Sequence, residues 1–185
     1  MRSEFLISFY FAFILFSCNS NEQSNSLKPS LPVDSFLIKE KLLESDSLNL
    51  PLREELAIEY YNNNNLSKAI NHFVKLCQND KNNKLALITL GNIYYDSQQF
   101  SNAIEYYEKA LKLDSLNTNL RCDLATSFLN INNAEKALEL LKENIKIDYN
   151  HLQSHHNISV VYKELGKTKE SVEEMEIYNK LSTNN

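Results

Sequence analysis

Glycine is nearly absent from this chain: 185 residues hold two, Gly91 and Gly166, alongside three prolines and no tryptophan. With so few glycines there is no Gly-rich loop to build an oxyanion site, which argues against acyl-transfer chemistry. Basic residues number 19, but they are interleaved with 24 acidic ones and form no stripe with aromatics, so no nucleic-acid partner is expected. The net charge of −5 falls in no acidic block and speaks to solubility. Cysteine is limited to Cys18, Cys77 and Cys122. The longest apolar run, Phe5 to Phe16, covers about 12 residues, too few to cross a bilayer core of ~30 Å comfortably. What remains is ordinary for one folded domain with short appendages: 43% of residues are hydrophobic.

That apolar run follows Arg2 and ends in Leu15-Phe16-Ser17-Cys18. The order of a short basic start, an apolar core and a small residue before the cut is that of a signal peptide. The last four residues resemble the bacterial lipobox, with Leu15 three places before Cys18, Ser17 one place before it and Phe16 a departure between them. The resemblance implies cleavage of residues 1–17 and a diacylated Cys18, with Asn19 pointing to the outer membrane facing the periplasm. Residues 18–33 are rich in Ser and Asn and carry Pro29 and Pro32. They read as a disordered tether with a span of ~20 Å.

The rest of the chain repeats every 34 residues. Leu56, Leu90, Leu124 and Ile158 form one series; Tyr60, Tyr94, Phe128 and Tyr162 another; Ala69, Ala103, Ala137 and Ser171 a third. The segment Asp46-Ser47-Leu48-Asn49 with Leu52-Arg53 recurs two periods on as Asp114-Ser115-Leu116-Asn117 with Leu120-Arg121. Within a period the apolar residues sit at helical spacing. From Lys84, the set Leu87, Leu90, Gly91 and Tyr94 makes one face of a helix A, and Phe100, Ala103, Ile104, Tyr107 and Ala110 make the facing stripe of a helix B. Small residues at Gly91 and Ala103 let the pair approach closely. A period of 34 built from paired amphipathic helices predicts an all-α superhelical solenoid. Asparagine is abundant, as in Asn62 to Asn65, and reads as compositional bias.

These residues resemble the tetratricopeptide repeat. The resemblance implies a right-handed solenoid of about four units at 50–83, 84–117, 118–151 and 152–185, with residues 34–49 as an N-terminal half-repeat carrying Phe36, Leu37, Ile38, Leu42 and Leu43. Units one, three and four show Ala57, Ala125 and Ser159 where unit two has Gly91, and Gly166 takes the inter-helix turn of unit four. Departures are the missing proline at the end of each unit, replaced by Lys81, Ser115 and Tyr149, and Asn144 in place of a small alanine. The family's concave groove, carried over position by position, falls on Ile88, Asn92, Tyr95 and Asp96 in unit two. It falls on Cys122, Asp123, Thr126, Leu129 and Asn130 in unit three, and on His156 and Val160 in unit four. The implied function is protein or peptide binding. Basic residues that clamp a terminal carboxylate are missing, because Ile88, Cys122 and His156 hold that place.

Other readings follow from single residues. Cys122 and His156 lie one period apart on neighbouring A helices, whose axes pack 8–10 Å apart; that is long for a nucleophile–base hydrogen bond. His151 and His155 are spaced i, i+4, as some metal ligands are, yet His151 falls in a turn. No catalytic residue, metal or cofactor is expected. Cys77 and Cys122 sit in non-adjacent units and are expected as free thiols. Tyr178, where unit two has Ala110, leaves the last helix uncapped and suits a partner or a homodimer. The expected role is a membrane-anchored scaffold in a bacterial envelope complex. Gly91-Asn92-Ile93-Tyr94-Tyr95-Asp96 with Asp123-Leu124-Ala125-Thr126 also resembles repeat proteins of cytochrome c maturation, which implies an apocytochrome or haem-handling partner as the alternative.

Overall fold

A computed structural model describes residues 33–183. Within them the chain is entirely helical, in the order α1 (Val33–Ser45), α2 (Leu50–Asn62), α3 (Leu66–Asn79), α4 (Lys84–Asp96), α5 (Phe100–Leu113), α6 (Thr118–Asn130), α7 (Ala134–Ile147), α8 (Leu152–Glu164) and α9 (Thr168–Ser182). Each helix packs on its neighbours in sequence, with a further contact between α6 and α8. The helices α2, α4, α6 and α8 begin at residues 50, 84, 118 and 152. The result is a tetratricopeptide-type solenoid of A/B pairs headed by α1. The leader, Cys18 and the tether up to residue 32 lie outside the described residues.

The turns explain the asparagines. Asn49, Asn65, Asn83, Asn117 and Asn133 each precede a helix, and each side chain accepts a hydrogen bond from the backbone N–H three residues on. Such caps stabilise a helix by ~1 kcal/mol each. In the A-to-B turns, Asn64, Gln98 and Asn132 all adopt φ of 59° and Gly166 adopts 70°. Asparagine and glycine tolerate this left-handed region better than most residues. The reading of asparagine as mere bias is therefore corrected, since one side-chain type satisfies two recurring needs of the repeat. Glutamine at 98 is the poor choice of the four. Gln98→Gly is expected to raise stability by ~0.5–1 kcal/mol, read from the shift of a urea midpoint.

The recurring Asp-Ser-Leu-Asn…Leu-Arg segment also acquires a cause. Arg53 Nη2 donates to the Ser47 carbonyl at 2.7 Å, and Arg121 donates to the Ser115 carbonyl. Each guanidinium is buried and ties the incoming turn to its helix.

The interior divides into two clusters. One centres on Leu56, Ala57, Ala69, Phe73, Leu76 and Leu90, and the other on Ala103, Tyr107, Ala125, Leu141 and Ile158. Gly91 marks the closest approach, because a Cβ there would lie 2.4 Å from the Tyr107 ring. At the N-terminal end α1 is less embedded than its sequence suggests. Leu43 is buried and Phe36 stacks on Tyr60 at 4.8 Å, while Leu37, Ile38 and Leu42 stay exposed. Polar bonds do much of the docking: Tyr60 donates to Glu40 at 2.9 Å, and His72 Nε2 lies 3.4 Å from the same carboxylate. Burial holds the His72 imidazole below its usual pKa.

Candidate peptide-binding groove

In unit two the carried-over positions line up on α4. Ile88, Asn92 and Tyr95 are half-buried and Asp96 is exposed at the helix end. Asn92 is not a free amide: its Oδ1 accepts a 2.8 Å hydrogen bond from the buried Tyr107 hydroxyl. Tyr95 reaches between repeats. Its ring meets Phe100 edge-on at 5.4 Å, and its hydroxyl accepts from Asn130 Nδ2 at 3.3 Å across to α6. Burial raises the Tyr95 phenol above its usual pKa. Tyr95 thus offers an apolar ring, fixed by two neighbours, with its phenol kept neutral.

Unit three departs from the carried-over pattern. Cys122, Asp123, Thr126 and Leu129 are all buried, and Asn130 alone of that set is half-buried. Leu129, which occupies the place of Tyr95 one repeat later, belongs to the core with 4% of its surface exposed. It is corrected from a binding anchor to a core residue. A leucine has no polar tip to keep near water, whereas a tyrosine does. Thr126 and Ser127 both donate to the Asp123 carbonyl, at 2.9 and 2.8 Å. Repeat phase gives the face on which a side chain lies and not its depth.

In unit four Val160 and His156 are half-buried. The His156 ring packs edge-on against Tyr178 at 5.4 Å, and so faces α9. Between His156 and Cys122 stands Asn157, fully buried. Its Nδ2 donates to Cys122 Sγ at 3.2 Å, and its Oδ1 lies 3.1 Å from His156 Nδ1. Sequence phase put cysteine and histidine on one groove; the structure puts an amide between them. The free-thiol expectation holds for Cys77. It does not hold for Cys122, whose sulfur is engaged and accepts from Asn157.

The pair at i, i+4 has separate structural duties. His151 caps α8, with Nδ1 2.8 Å from Ser154 Oγ and Nε2 2.9 Å from Asn119 Oδ1. His155 is fully buried, its Nδ1 2.7 Å from Glu174 Oε2 and its Nε2 2.8 Å from the Tyr149 carbonyl. Among the described residues no three His, Cys, Asp or Glu side chains gather where they could hold a metal ion. One polar centre went unread. Asn144, buried where unit two has Ala110, donates to the Thr118 carbonyl at 2.7 Å and to Ser154 Oγ at 3.0 Å. It also accepts from Arg121 Nη1 at 3.1 Å. The departure from alanine was the available signal, since a buried amide needs several partners at once.

The stacked helix pairs and the A-helix face they present define a helical-repeat protein that works through a protein-binding surface. Two family models match in sequence: one described as the fourth ARM domain of tetratricopeptide repeat protein 21, over residues 87–184, and a tetratricopeptide repeat model over residues 54–118. The chain belongs to the tetratricopeptide repeat family. Among solved structures it is similar to a crystal structure of MamA, with a TM-score of 0.74 and 19% identity over 81% of this chain and 88% of that one. It is also similar to MamA from Desulfovibrio magneticus RS-1, with a TM-score of 0.73 and 13% identity over 82% and 86% of the two chains. At such identities the likeness is one of fold. No curated protein sequence matches the chain.

Proposed function

We propose that this protein is a membrane-anchored scaffold of a bacterial cell envelope, held through a lipidated Cys18 and capturing a partner protein in its concave groove. The observation that carries the binding half is Tyr95, a half-buried aromatic held by Phe100 and Asn130, with Ile88 on its own helix. Rigid aromatic anchors of this kind dominate many interfaces. The pairing of aromatic and aliphatic groups suits an apolar peptide segment, since Asn92 Oδ1 and Asn130 Nδ2 are already engaged within the fold. The anchoring half rests on Leu15-Phe16-Ser17-Cys18 after the apolar run. Two or more acyl chains hold firmly because each buried CH₂ contributes ~0.8 kcal/mol.

The two halves are tested separately. Tyr95→Ala is expected to weaken partner capture roughly 30-fold, about 2 kcal/mol, with an unchanged helical spectrum. Tyr178→Ala, on the last helix, is expected to leave capture intact; the opposite pattern would move the interface to α9. Cys18→Ala is expected to abolish fatty-acid labelling, and labelling that persists would remove the anchor.

A further inference from the structure

The two rims of the solenoid differ in chemistry. Consecutive helices pack side by side and are joined by short turns, so the turns alternate between two edges. On the A-to-B edge stand Asn63 to Asn65, Ser97 to Gln99, Ile131 to Asn133 and Leu165 to Lys167. Within these turns Ile131 is the most exposed large apolar side chain, at 40%, and Leu37 and Ile38 lie in the half of α1 that starts at this edge. On the B-to-A edge, Leu48, Leu85, Leu113, Leu116, Ile147 and Tyr149 are all exposed, with Leu48 and Leu116 at 71%. Each lies in a connection or within a turn of one.

We infer that this apolar rim seats on a lipid surface. Its chemistry favours a bilayer over a protein. The apolar tips come one or two per repeat and are separated by polar turn residues, whereas protein docking favours a continuous apolar patch. Headgroup layers accept isolated leucines and tyrosine tips beside lysines, whose stems lie along the apolar boundary while the ammonium stays in water. Lys81, Lys84, Lys112 and Lys146 stand on the same edge. Lys84 pairs with Asp114 at 2.9 Å, while Asp80 accepts from the Asn82 N–H at 2.9 Å and Asp148 from the Asn150 N–H at 3.0 Å. Asp46, Asp80, Asp114 and Asp148 stand among these lysines, so the edge carries apolar tips between charges of both signs, a match for a headgroup layer.

The inference rests on the membrane reading of Cys18, and the length of chain is compatible with it. Val33 starts α1 at the opposite edge, and α1 has 13 residues, a rise of ~20 Å. Fifteen residues separate Cys18 from Val33 by numbering, and at full extension they reach ~50 Å. An anchored chain has the slack to lay its far rim on the bilayer.

The absence of tryptophan from the chain makes the test clean. Tyr149→Trp and Ile131→Trp each place a single indole, one on either rim. The purified full chain is mixed with vesicles of phosphatidylethanolamine and phosphatidylglycerol carrying brominated acyl chains. Quenching is expected several-fold stronger for Tyr149→Trp than for Ile131→Trp, and Leu48→Asp with Leu116→Asp should abolish that difference. Equal quenching on both rims, or none on either, overturns the proposal. So does a blue shift of Tyr149→Trp that grows with protein concentration without vesicles, which would assign the rim to a second copy. Since this assay needs no acylation, its failure is distinct from a failure of fatty-acid labelling at Cys18.

Discussion

Gly91→Ala is expected to destabilise the protein by ~3 kcal/mol, the upper range for overpacking a tight core. The new methyl would lie 2.4 Å from two carbons of the Tyr107 ring. A buried ring does not simply swing away. Tyr107 is 1% exposed, and its hydroxyl donates to Asn92 at 2.8 Å, which holds the ring over the glycine. The other units show why alanine fails here and succeeds there. Ala57 faces the repeat position of Phe73, but Phe73 has no hydroxyl and Ile58 replaces Asn92. Ala125 is paired in the same way with Leu141. Tyr107→Leu in the Gly91→Ala background should therefore recover much of the loss, though alone it costs ~1–3 kcal/mol by leaving a cavity. Urea unfolding of the two single variants and the double variant measures the coupling. Strict additivity would mean that the ring and the glycine do not meet.

How much of this was legible in the sequence depends on the residue. The period of 34 fixed which residues share a helix face, and a small residue at Gly91 already implied a close approach. Tyr95 was legible for the same reason. Leu129 was not, because two residues in one repeat phase sit at different depths when one carries a hydroxyl and the other does not. The asparagines were misread for a different cause. Composition gives their number, and only the backbone shows that Asn49, Asn83 and Asn117 cap helices while Asn64 and Asn132 adopt positive φ. Asn144 was visible as an oddity and not as a hub, since its partners Thr118, Arg121 and Ser154 come from two other helices.

Phe73→Ala carries the other large effect, an expected loss of ~3–5 kcal/mol. Phe73 is fully buried at the centre of the cluster formed by α1 to α4. The cluster from α4 to α8 shares with it only half-buried residues such as Tyr94, Tyr106 and Cys77. Solenoid stability is a sum of repeat and interface contributions, so damage in the first cluster should open that end first. Hydrogen exchange is expected to quicken in α1, α2 and α3 while α6, α7 and α8 keep their protection. Uniform loss along the chain would show that the two clusters unfold as one.

The central claim is that the A-helix face around Tyr95 receives the partner. The most direct measurement places a photocrosslinking amino acid at Tyr95 and, in a second strain, at Tyr106, whose ring stacks on Tyr94 at 5.5 Å and lies by Lys109 on the B-helix side. After irradiation of intact cells, the account predicts a discrete crosslinked product from position 95, lost when Ile88→Asp is added, and none from position 106. A product from 106 with none from 95 would contradict it.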